Sequence, residues 1–195
     1  MKLRRALLIV DLQNDFCPGG ALGVPGADKI VPAINKYIRV FSKKKLPIIA
    51  SADWHPIKTR HFKDFGGRWP AHCIHNSRGA QFHSKLKLSK ETILVYKGMD
   101  PEHDSYSVFQ AEDRNGRRFP TLLKVLGVDE LYVGGLATDY CVKYSVKDAL
   151  KAGVKVKLLT DAIKGVDLKS RDSESAIKEM TGLGAKAIKI GSLKK

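Results

Sequence analysis

A short segment of the chain concentrates side chains that bind transition metals. Asp53 and His55 stand two residues apart, and His61 and His72 follow within twenty residues of Asp53, in a sequence with only six histidines. Residues i and i+2 of a strand point to the same side. Asp53 and His55 can therefore reach one ion if the apolar run that leads up to them is a strand. Three imidazoles and one carboxylate suit zinc or a similar late divalent metal, not calcium or magnesium. Iron and manganese fit the same ligands, and the sequence does not distinguish these ions.

The competing interpretation is that these histidines are surface residues, as a single loop histidine usually is. Four candidate ligands in one short window, some of them next to tryptophan, favour a metal site instead. The remaining histidines, His75, His83 and His103, have no such neighbours. We interpret them as surface residues.

A second group of reactive side chains is centred on Cys141, which begins a predicted helix just after a predicted strand. A thiol at a helix N-terminus is expected to have a lowered pKa, and backbone N–H groups in such a turn can hold an oxyanion. Asp11 and Lys97 end two other predicted strands, and a base beside a thiol with a cation nearby activates a cysteine nucleophile. The alternatives are a small buried hydrophobe for Cys141, a surface lysine for Lys97 and a helix cap for Asp11.

Apolar runs typical of strands alternate along the chain with segments of helical spacing. The predicted strands span residues 6–11, 47–52, 92–97, 130–134, 154–160 and 187–190, and the predicted helices span 29–44, 121–126, 140–152 and 173–183. This alternation predicts an α/β fold, in which a three-layer, doubly wound, mostly parallel six-stranded sheet carries helices on both faces. Function in such sheets gathers at the carboxyl ends of the strands, where Asp11, Asp53, Lys97 and the loop after Gly134 all fall.

Length and composition limit the classes of protein to consider. A chain of 195 residues with 43% hydrophobic residues suits a single domain over residues 1–195. The net charge of +15 comes from scattered lysines and arginines without interleaved aromatics, which indicates a solvated surface and no nucleic-acid partner. Three cysteines, no signal peptide and no membrane-spanning stretch predict a cytoplasmic protein without a membrane partner.

Five separated motifs of this sequence resemble those of the nicotinamidases, the metal-dependent branch of the isochorismatase-like cysteine hydrolases. The motifs are residues 11–20, 53–56, 69–73, 97–98 and 135–142, and the resemblance extends from about residue 6 to residue 193. It implies an amidohydrolase that converts nicotinamide to nicotinate and ammonia through a cysteine thioester, as a step of NAD salvage. Pyrazinamide, which has the same shape, is the implied side substrate.

The resemblance also implies a role for each matching residue. Cys141 would be the nucleophile, Asp11 its base, and Lys97 the cation that holds both. The backbone N–H groups of Ala137 and Cys141 would form the oxyanion hole, with a cis peptide between Leu136 and Ala137. One divalent transition metal, zinc before iron or manganese, would be held by Asp53, His55, His61 and His72, and the ring pocket would be walled by Phe16, Leu22, Trp69 and Tyr106. Relatives occur as monomers and as homo-oligomers, and the sequence leaves this choice open.

Two other functions remain to be weighed against this one. The first is a hydrolase of a different small amide or carbamoyl compound, and the histidine set counts against it because such relatives do not need those histidines. The second is a basic nucleic-acid-binding protein with an inactive fold, which would show salt-sensitive polynucleotide binding and no hydrolysis. The complete Asp11, Lys97 and Cys141 set counts against that function.

Overall fold

The computed structural model of the protein describes residues 4–193, and a seven-stranded sheet runs through its centre. Residues 1–3 and 194–195, the two ends of the predicted domain, lie outside the described residues. The strands are β1 (Arg5–Val10), β2 (Ile48–Asp53), β3 (Ile93–Lys97), β4 (Glu112–Asp113), β5 (Glu130–Leu136), β6 (Lys155–Lys164) and β7 (Lys186–Ile188). The helices are α1 (Val31–Lys43), α2 (Phe119–Leu126), α3 (Lys143–Lys151) and α4 (Asp172–Gly182). No helix within residues 4–193 is both long enough and apolar enough to cross a membrane.

The order of the strands confirms the predicted doubly wound, mostly parallel sheet. The order is β4-β3-β2-β1-β5-β6-β7, and only the pair of β3 and β4 is antiparallel. All six predicted strands are present, but the predicted strand count was wrong by one. The additional strand is β4, whose two residues pair with Val95 and Tyr96 at the sheet edge. A strand of two residues is too short to show the alternation by which strands are recognised.

Alternate residues of the central strand β1 enter two separate cores, one on each face of the sheet. Ala6, Leu8 and Val10 join the apolar cluster that contains residues of α2, α3 and α4, whereas Leu7 and Ile9 join the cluster that contains residues of α1. All of these side chains are fully buried. A strand covered on both faces must be apolar throughout, which explains its unbroken hydrophobic sequence. The predicted three-layer arrangement is therefore confirmed.

The chain does not enter a helix directly after β5. A helix was predicted over residues 140–152, but Thr138–Val142 form a wide turn and α3 begins only at Lys143. Tyr140 interrupts the helical path with φ −125° and ψ −105°. Cys141 thus lies in the turn between the carboxyl end of β5 and the first residue of α3.

Gly135 allows β5 to pack against β1, because no side chain fits at its position. Its φ is +120°, and an added Cβ would lie 2.6 Å from the backbone N of Val10 and 2.8 Å from its carbonyl carbon. We expect Gly135→Ala to lower the free energy of unfolding by about 3 kcal/mol or more, since backbone strain and overpacking add together. Equilibrium urea denaturation measures this loss.

Gly153→Ala is the matched control for that substitution. Gly153 also has a positive φ, +78°, but nothing lies within 4 Å of the position its Cβ would take. Only the backbone cost applies there, roughly 1–2 kcal/mol. Equal losses of stability in the two variants would contradict the close approach of Gly135 to β1.

Candidate active site and metal centre

The three predicted catalytic side chains meet around one ammonium group at the carboxyl edge of the sheet. Lys97 ends β3, Asp11 directly follows β1, and Cys141 lies in the turn after β5. The Lys97 Nζ atom is 3.0 Å from Asp11 Oδ2 and 3.4 Å from Cys141 Sγ, and it also donates to the carbonyl oxygen of Ser105 at 3.0 Å. It forms a further ion pair with Asp53 Oδ1, since Asp53 and Lys97 are register partners on β2 and β3.

Burial and charge together set the protonation of this cluster. Asp11 and Lys97 are 0% and 1% exposed. Burial disfavours the Lys97 ammonium, but Asp11 and Asp53 outweigh burial and raise the pKa of Lys97 well above its usual range. Burial also raises the pKa of Asp11, against the opposing attraction of Lys97. Lys97 therefore remains a cation, and Asp11 holds a proton more readily than an exposed aspartate does.

The lowered pKa expected for Cys141 from its position near a helix start is wrong. The thiol is buried, and burial raises the pKa of Cys141 well above its usual range despite the nearby Lys97. The negative charges of Asp11 and Asp53 raise this pKa further, since they disfavour a thiolate beside them. A thiol in this state needs a base to remove its proton, and a carboxylate oxygen of Asp11 lies within 4.8 Å of the sulfur.

Asp11 is fixed by contacts that the sequence analysis did not anticipate. Ser51 Oγ donates a 2.7 Å hydrogen bond to Asp11 Oδ1, and the backbone N–H of Asp11 donates to Ser51 O at 3.2 Å. The φ of Asp11 is +45°, a region uncommon for a non-glycine residue and frequent at functional sites. Ser51 lies two residues before Asp53 on β2, so the period-two rule could have placed both on the same side of the sheet.

Ala137 and Cys141, whose backbone N–H groups are expected to form the oxyanion hole, line one cavity. The peptide bond between Leu136 and Ala137 is cis, as the resemblance implied. Both residues line the same cavity as Cys141. The chain therefore brings the cis peptide bond and Cys141 to the same cavity.

The three predicted histidine ligands converge on one point next to this cluster. One ring nitrogen from each of His55, His61 and His72 lies within 4.8 Å of the others, and all three residues are buried. Asp53 Oδ2 lies 3.8 Å from His55 Nε2. Behind the cluster, His72 Nδ1 donates to the carbonyl oxygen of Pro70 at 2.7 Å. In the same way His61 Nδ1 bonds Asp104 Oδ1, and such outer partners are typical of metal-binding histidines.

The chemistry of this cluster fits a divalent metal ion. Both ring nitrogens of His55 are buried, and they receive no hydrogen bond from the residues the structure describes. Burial lowers the pKa of His72 to about 4 and also lowers that of His61. These two imidazoles are neutral near pH 7, the form whose lone pair binds a metal. An unpartnered buried imidazole beside two neutral imidazoles and a carboxylate is what a metal site with nitrogen and oxygen ligands requires.

A small, largely apolar cavity is lined by residues of both groups, Cys141 from one and His61 and His72 from the other. The four residues predicted to wall the ring pocket all line it, and these are Phe16, Leu22, Trp69 and Tyr106. Trp69 Nε1 donates to Tyr106 Oη at 2.8 Å, which fixes two aromatic walls against each other. The cavity is also lined by a few polar residues, and these include Cys141, His61 and His72. A small apolar cavity with aromatic walls and a few polar groups suits a flat aromatic molecule that carries polar groups.

Three further residues of the site were missed by sequence reasoning. Tyr140 lines the cavity and stacks edge-on against Trp69, with ring centroids 5.1 Å apart. Its position next to Cys141 was a usable signal. Val166 lines the cavity from the loop after β6, and Asp104 supports His61 from an exposed loop. No spacing or composition marks these two residues, because their contacts are made across loops.

The chain is similar in sequence and in fold to several known proteins. The family model for the isochorismatase domain matches residues 5–191. The nicotinamidase of Escherichia coli (strain K12) is 44% identical over 200 residues, which covers 93% of this chain and 92% of that protein. The pyrazinamidase of Pyrococcus horikoshii in complex with zinc is 42% identical, with a TM-score of 0.89 over 96% of this chain and 99% of that one. PnC1 from L. infantum in complex with nicotinate is 32% identical, with a TM-score of 0.84 over 96% and 93% of the two chains. The chain therefore belongs to the isochorismatase family.

Proposed function

We propose that this protein is a nicotinamidase, which hydrolyses nicotinamide to nicotinate and ammonia and so serves NAD salvage. The observation that carries the proposal is one small, largely apolar cavity that is lined both by Cys141 and by His61 and His72 of the histidine cluster. Nicotinamide is a flat ring with a carboxamide and a ring nitrogen at separate positions, so it offers one group to the thiol and another to the histidines. The similarity to the E. coli nicotinamidase supports the same substrate. Pyrazinamide offers the same groups and is the proposed side substrate.

In the first half of the reaction, Cys141 Sγ attacks the carboxamide carbon while Asp11 accepts the thiol proton. Lys97 stays charged and stabilises the developing thiolate through its 3.4 Å contact with the sulfur. The backbone N–H groups of Ala137 and Cys141 receive the negative charge that develops on the amide oxygen. Asp11 then passes its proton to the nitrogen, the C–N bond breaks, and ammonia leaves a thioester on Cys141.

In the second half, water attacks the thioester carbon and Asp11 accepts a proton from that water. The same oxyanion hole stabilises the second tetrahedral intermediate. When the C–S bond breaks, the proton held by Asp11 returns to the sulfur and nicotinate is released. The cycle thus needs one base whose proton moves in both directions, and Asp11 with its raised pKa suits that task.

We assign the metal ligands to Asp53, His55, His61 and His72, and the metal to zinc before iron or manganese on the nature of these ligands. A metal ion held there would supply a Lewis acid for the ring nitrogen of nicotinamide. The ring is surrounded by four residues that line the cavity and exclude water from it, namely Phe16, Leu22, Trp69 and Tyr106. Three predictions accompany this proposal. The chain forms a single domain, its partner is a small molecule and neither a nucleic acid nor a membrane, and its location is the cytoplasm.

Ammonia release from nicotinamide by the purified protein tests the proposed function. We expect release by the protein as purified, loss of release after chelation, and its return when zinc, iron or manganese is added back. Hydrolysis of benzamide, which lacks the ring nitrogen, is expected to be much slower than hydrolysis of nicotinamide. Absence of ammonia release with each of the three metals would overturn the proposal and direct the search to other small amides.

Asp104 is expected to strengthen metal binding through His61, which it contacts from outside the cluster. Asp104→Ala should weaken zinc binding by about 10–100-fold, because the outer partner fixes the ring orientation and raises the basicity of the ligand. Competition with a chromophoric chelator measures the dissociation constant. Asp100→Ala is the matched control, since Asp100 also bonds a histidine, His103, at 3.0 Å in the same loop but away from the cluster. Equal zinc affinities in the two variants would contradict the role of Asp104.

A further inference from the structure

One buried carboxylate that the mechanism does not use ties two walls of the pocket together. Asp139 lies two residues before Cys141 and is only 5% exposed. Its Oδ1 accepts the backbone N–H of Val166 at 2.9 Å, and its Oδ2 accepts the backbone N–H of Asp167 at 2.8 Å. Both oxygens of one side chain thus hold consecutive residues of a neighbouring loop. Charge-assisted bonds of this kind are stronger than neutral ones and fix the loop at two points.

The same loop is also held from its other side. Asp167 Oδ1 accepts the backbone N–H of Ser173, in the first turn of α4, at 2.7 Å. At the start of the loop, Lys164 is the register partner of Leu136 on β5. Residues 165–167 are therefore fixed between β5, the turn that carries the thiol, and α4. A loop restrained at so many points has a defined position, and so has the side chain that it presents.

The side chain that this loop presents to the cavity is Val166. It lines the cavity together with Leu136, Ala137 and Cys141, and it packs against the apolar cluster that contains Leu136 and Ala137. The two branches of a valine leave its χ1 angle little freedom, so its methyl groups form a firm boundary. The boundary lies beside the atoms that would hold the carboxamide, which leaves little room for a substituent on the ring.

We propose that Val166 determines which substituted rings the enzyme accepts, and that Asp139 is a positioning residue that holds Val166 in place. This inference rests on the proposed hydrolysis of nicotinamide and deepens it. Asp139 acts only through the backbone of residues 166–167. An asparagine there would turn its NH₂ group toward one of the two N–H donors, and the loop would shift away from the cavity.

The test compares nicotinamide with the four methylnicotinamides that carry a methyl group on one free ring carbon each. We expect Val166→Ala to raise kcat/KM for at least one isomer by about tenfold relative to nicotinamide, which is what a pocket gains from room for one methyl group. Asp139→Asn should favour the same isomer. The double variant should show no more than the larger single effect, because both substitutions move one boundary.

Asp161→Asn is the matched control for Asp139→Asn. Asp161 also accepts two hydrogen bonds, from Tyr37 Oη at 2.8 Å and from the N–H of Ile190 at 2.9 Å, but it does not line the cavity. We expect it to change stability without changing the ratio between substrates. If Asp139→Asn does not fold, Asp139→Ser replaces it, since a hydroxyl still accepts one of the two N–H groups.

The outcomes separate the inference from the proposed function. A wild-type protein that hydrolyses no nicotinamide overturns the proposed function itself. The role of Val166 is overturned if the wild-type protein hydrolyses nicotinamide and the Val166→Ala variant excludes methylated rings as strongly as the wild type does. A purely structural residue would lower kcat/KM equally for all substrates, so a uniform loss in the Asp139 variant overturns the role of Asp139. Effects of the two substitutions on kcat/KM that multiply in the double variant also overturn it.

Discussion

Cys141→Ala is expected to abolish ammonia release from nicotinamide, with kcat lowered by at least about 10⁴-fold. The substitution removes the atom proposed to form the thioester, and among the residues lining the cavity no other thiol is present to replace it. Binding of substrate and metal should be nearly unchanged, because the ring pocket and the histidine cluster do not depend on the sulfur. An ammonia assay at saturating nicotinamide gives kcat, and zinc binding reports that the site is otherwise intact.

Cys17→Ala is the control that separates loss of the nucleophile from loss of any buried thiol. Cys17 is 4% exposed and packs in the core beneath α1, where it does not line the cavity. Its removal should cost stability and leave kcat within about twofold, because the effect is confined to packing. A Cys141→Ala protein that keeps a hundredth of wild-type activity would contradict nucleophilic catalysis by this residue.

The fold was predictable because its strongest signals are local. The central strands are buried on both faces, so each shows an unbroken apolar run, and α1 repeats apolar residues at helical spacing. Short elements carry too few residues for a period, and for this reason β4 was missed. The first turn of the helix predicted from residue 140 was wrong because the path of Tyr140 depends on tertiary contacts that no periodicity records.

The site was predictable to the extent that its residues end strands. Parallel strands bring their carboxyl ends to one edge, so Asp11, Asp53 and Lys97 could be grouped before their distances were known. Asp104, Asp139 and Val166 could not be grouped in this way, since each acts across a loop. The direction of the Cys141 pKa shift also needed the structure, because burial outweighs the attraction of Lys97 and burial is a property of the whole fold.

Asp53 joins the two halves of the site, which sequence spacing alone did not indicate. Its Oδ1 pairs with Lys97, and its Oδ2 lies 3.8 Å from His55 Nε2. Gln13 holds its backbone from both sides, since the side-chain amide donates to Asp53 O and accepts from Asp53 N, each at 2.8 Å. The position of the proposed metal ligand is therefore fixed by the same strand pair that places the proposed catalytic lysine.

Asp11→Asn is expected to lower kcat by about 10³-fold, the loss typical of removing a general base. The amide has the shape of the carboxylate and can still accept the hydrogen bond from Ser51, but it can take no proton from the Cys141 thiol. The thiol is buried and its pKa is raised, so it does not ionise readily without that base. In the proposed mechanism, formation of the thioester and its hydrolysis both use Asp11, so both steps should slow in the variant.

Ser51→Ala distinguishes the chemical role of Asp11 from its placement. It removes the 2.7 Å hydrogen bond to Asp11 Oδ1 and leaves the carboxylate and its ion pair with Lys97 in place. We expect a loss in kcat of about tenfold, equivalent to one hydrogen bond of ordinary strength. Single-turnover rates for the two variants, measured with nicotinamide at saturation, give the comparison. Losses of equal size would mean that Asp11 acts by holding the geometry of the cluster, whereas a hundredfold gap between them assigns the proton transfer to its carboxylate.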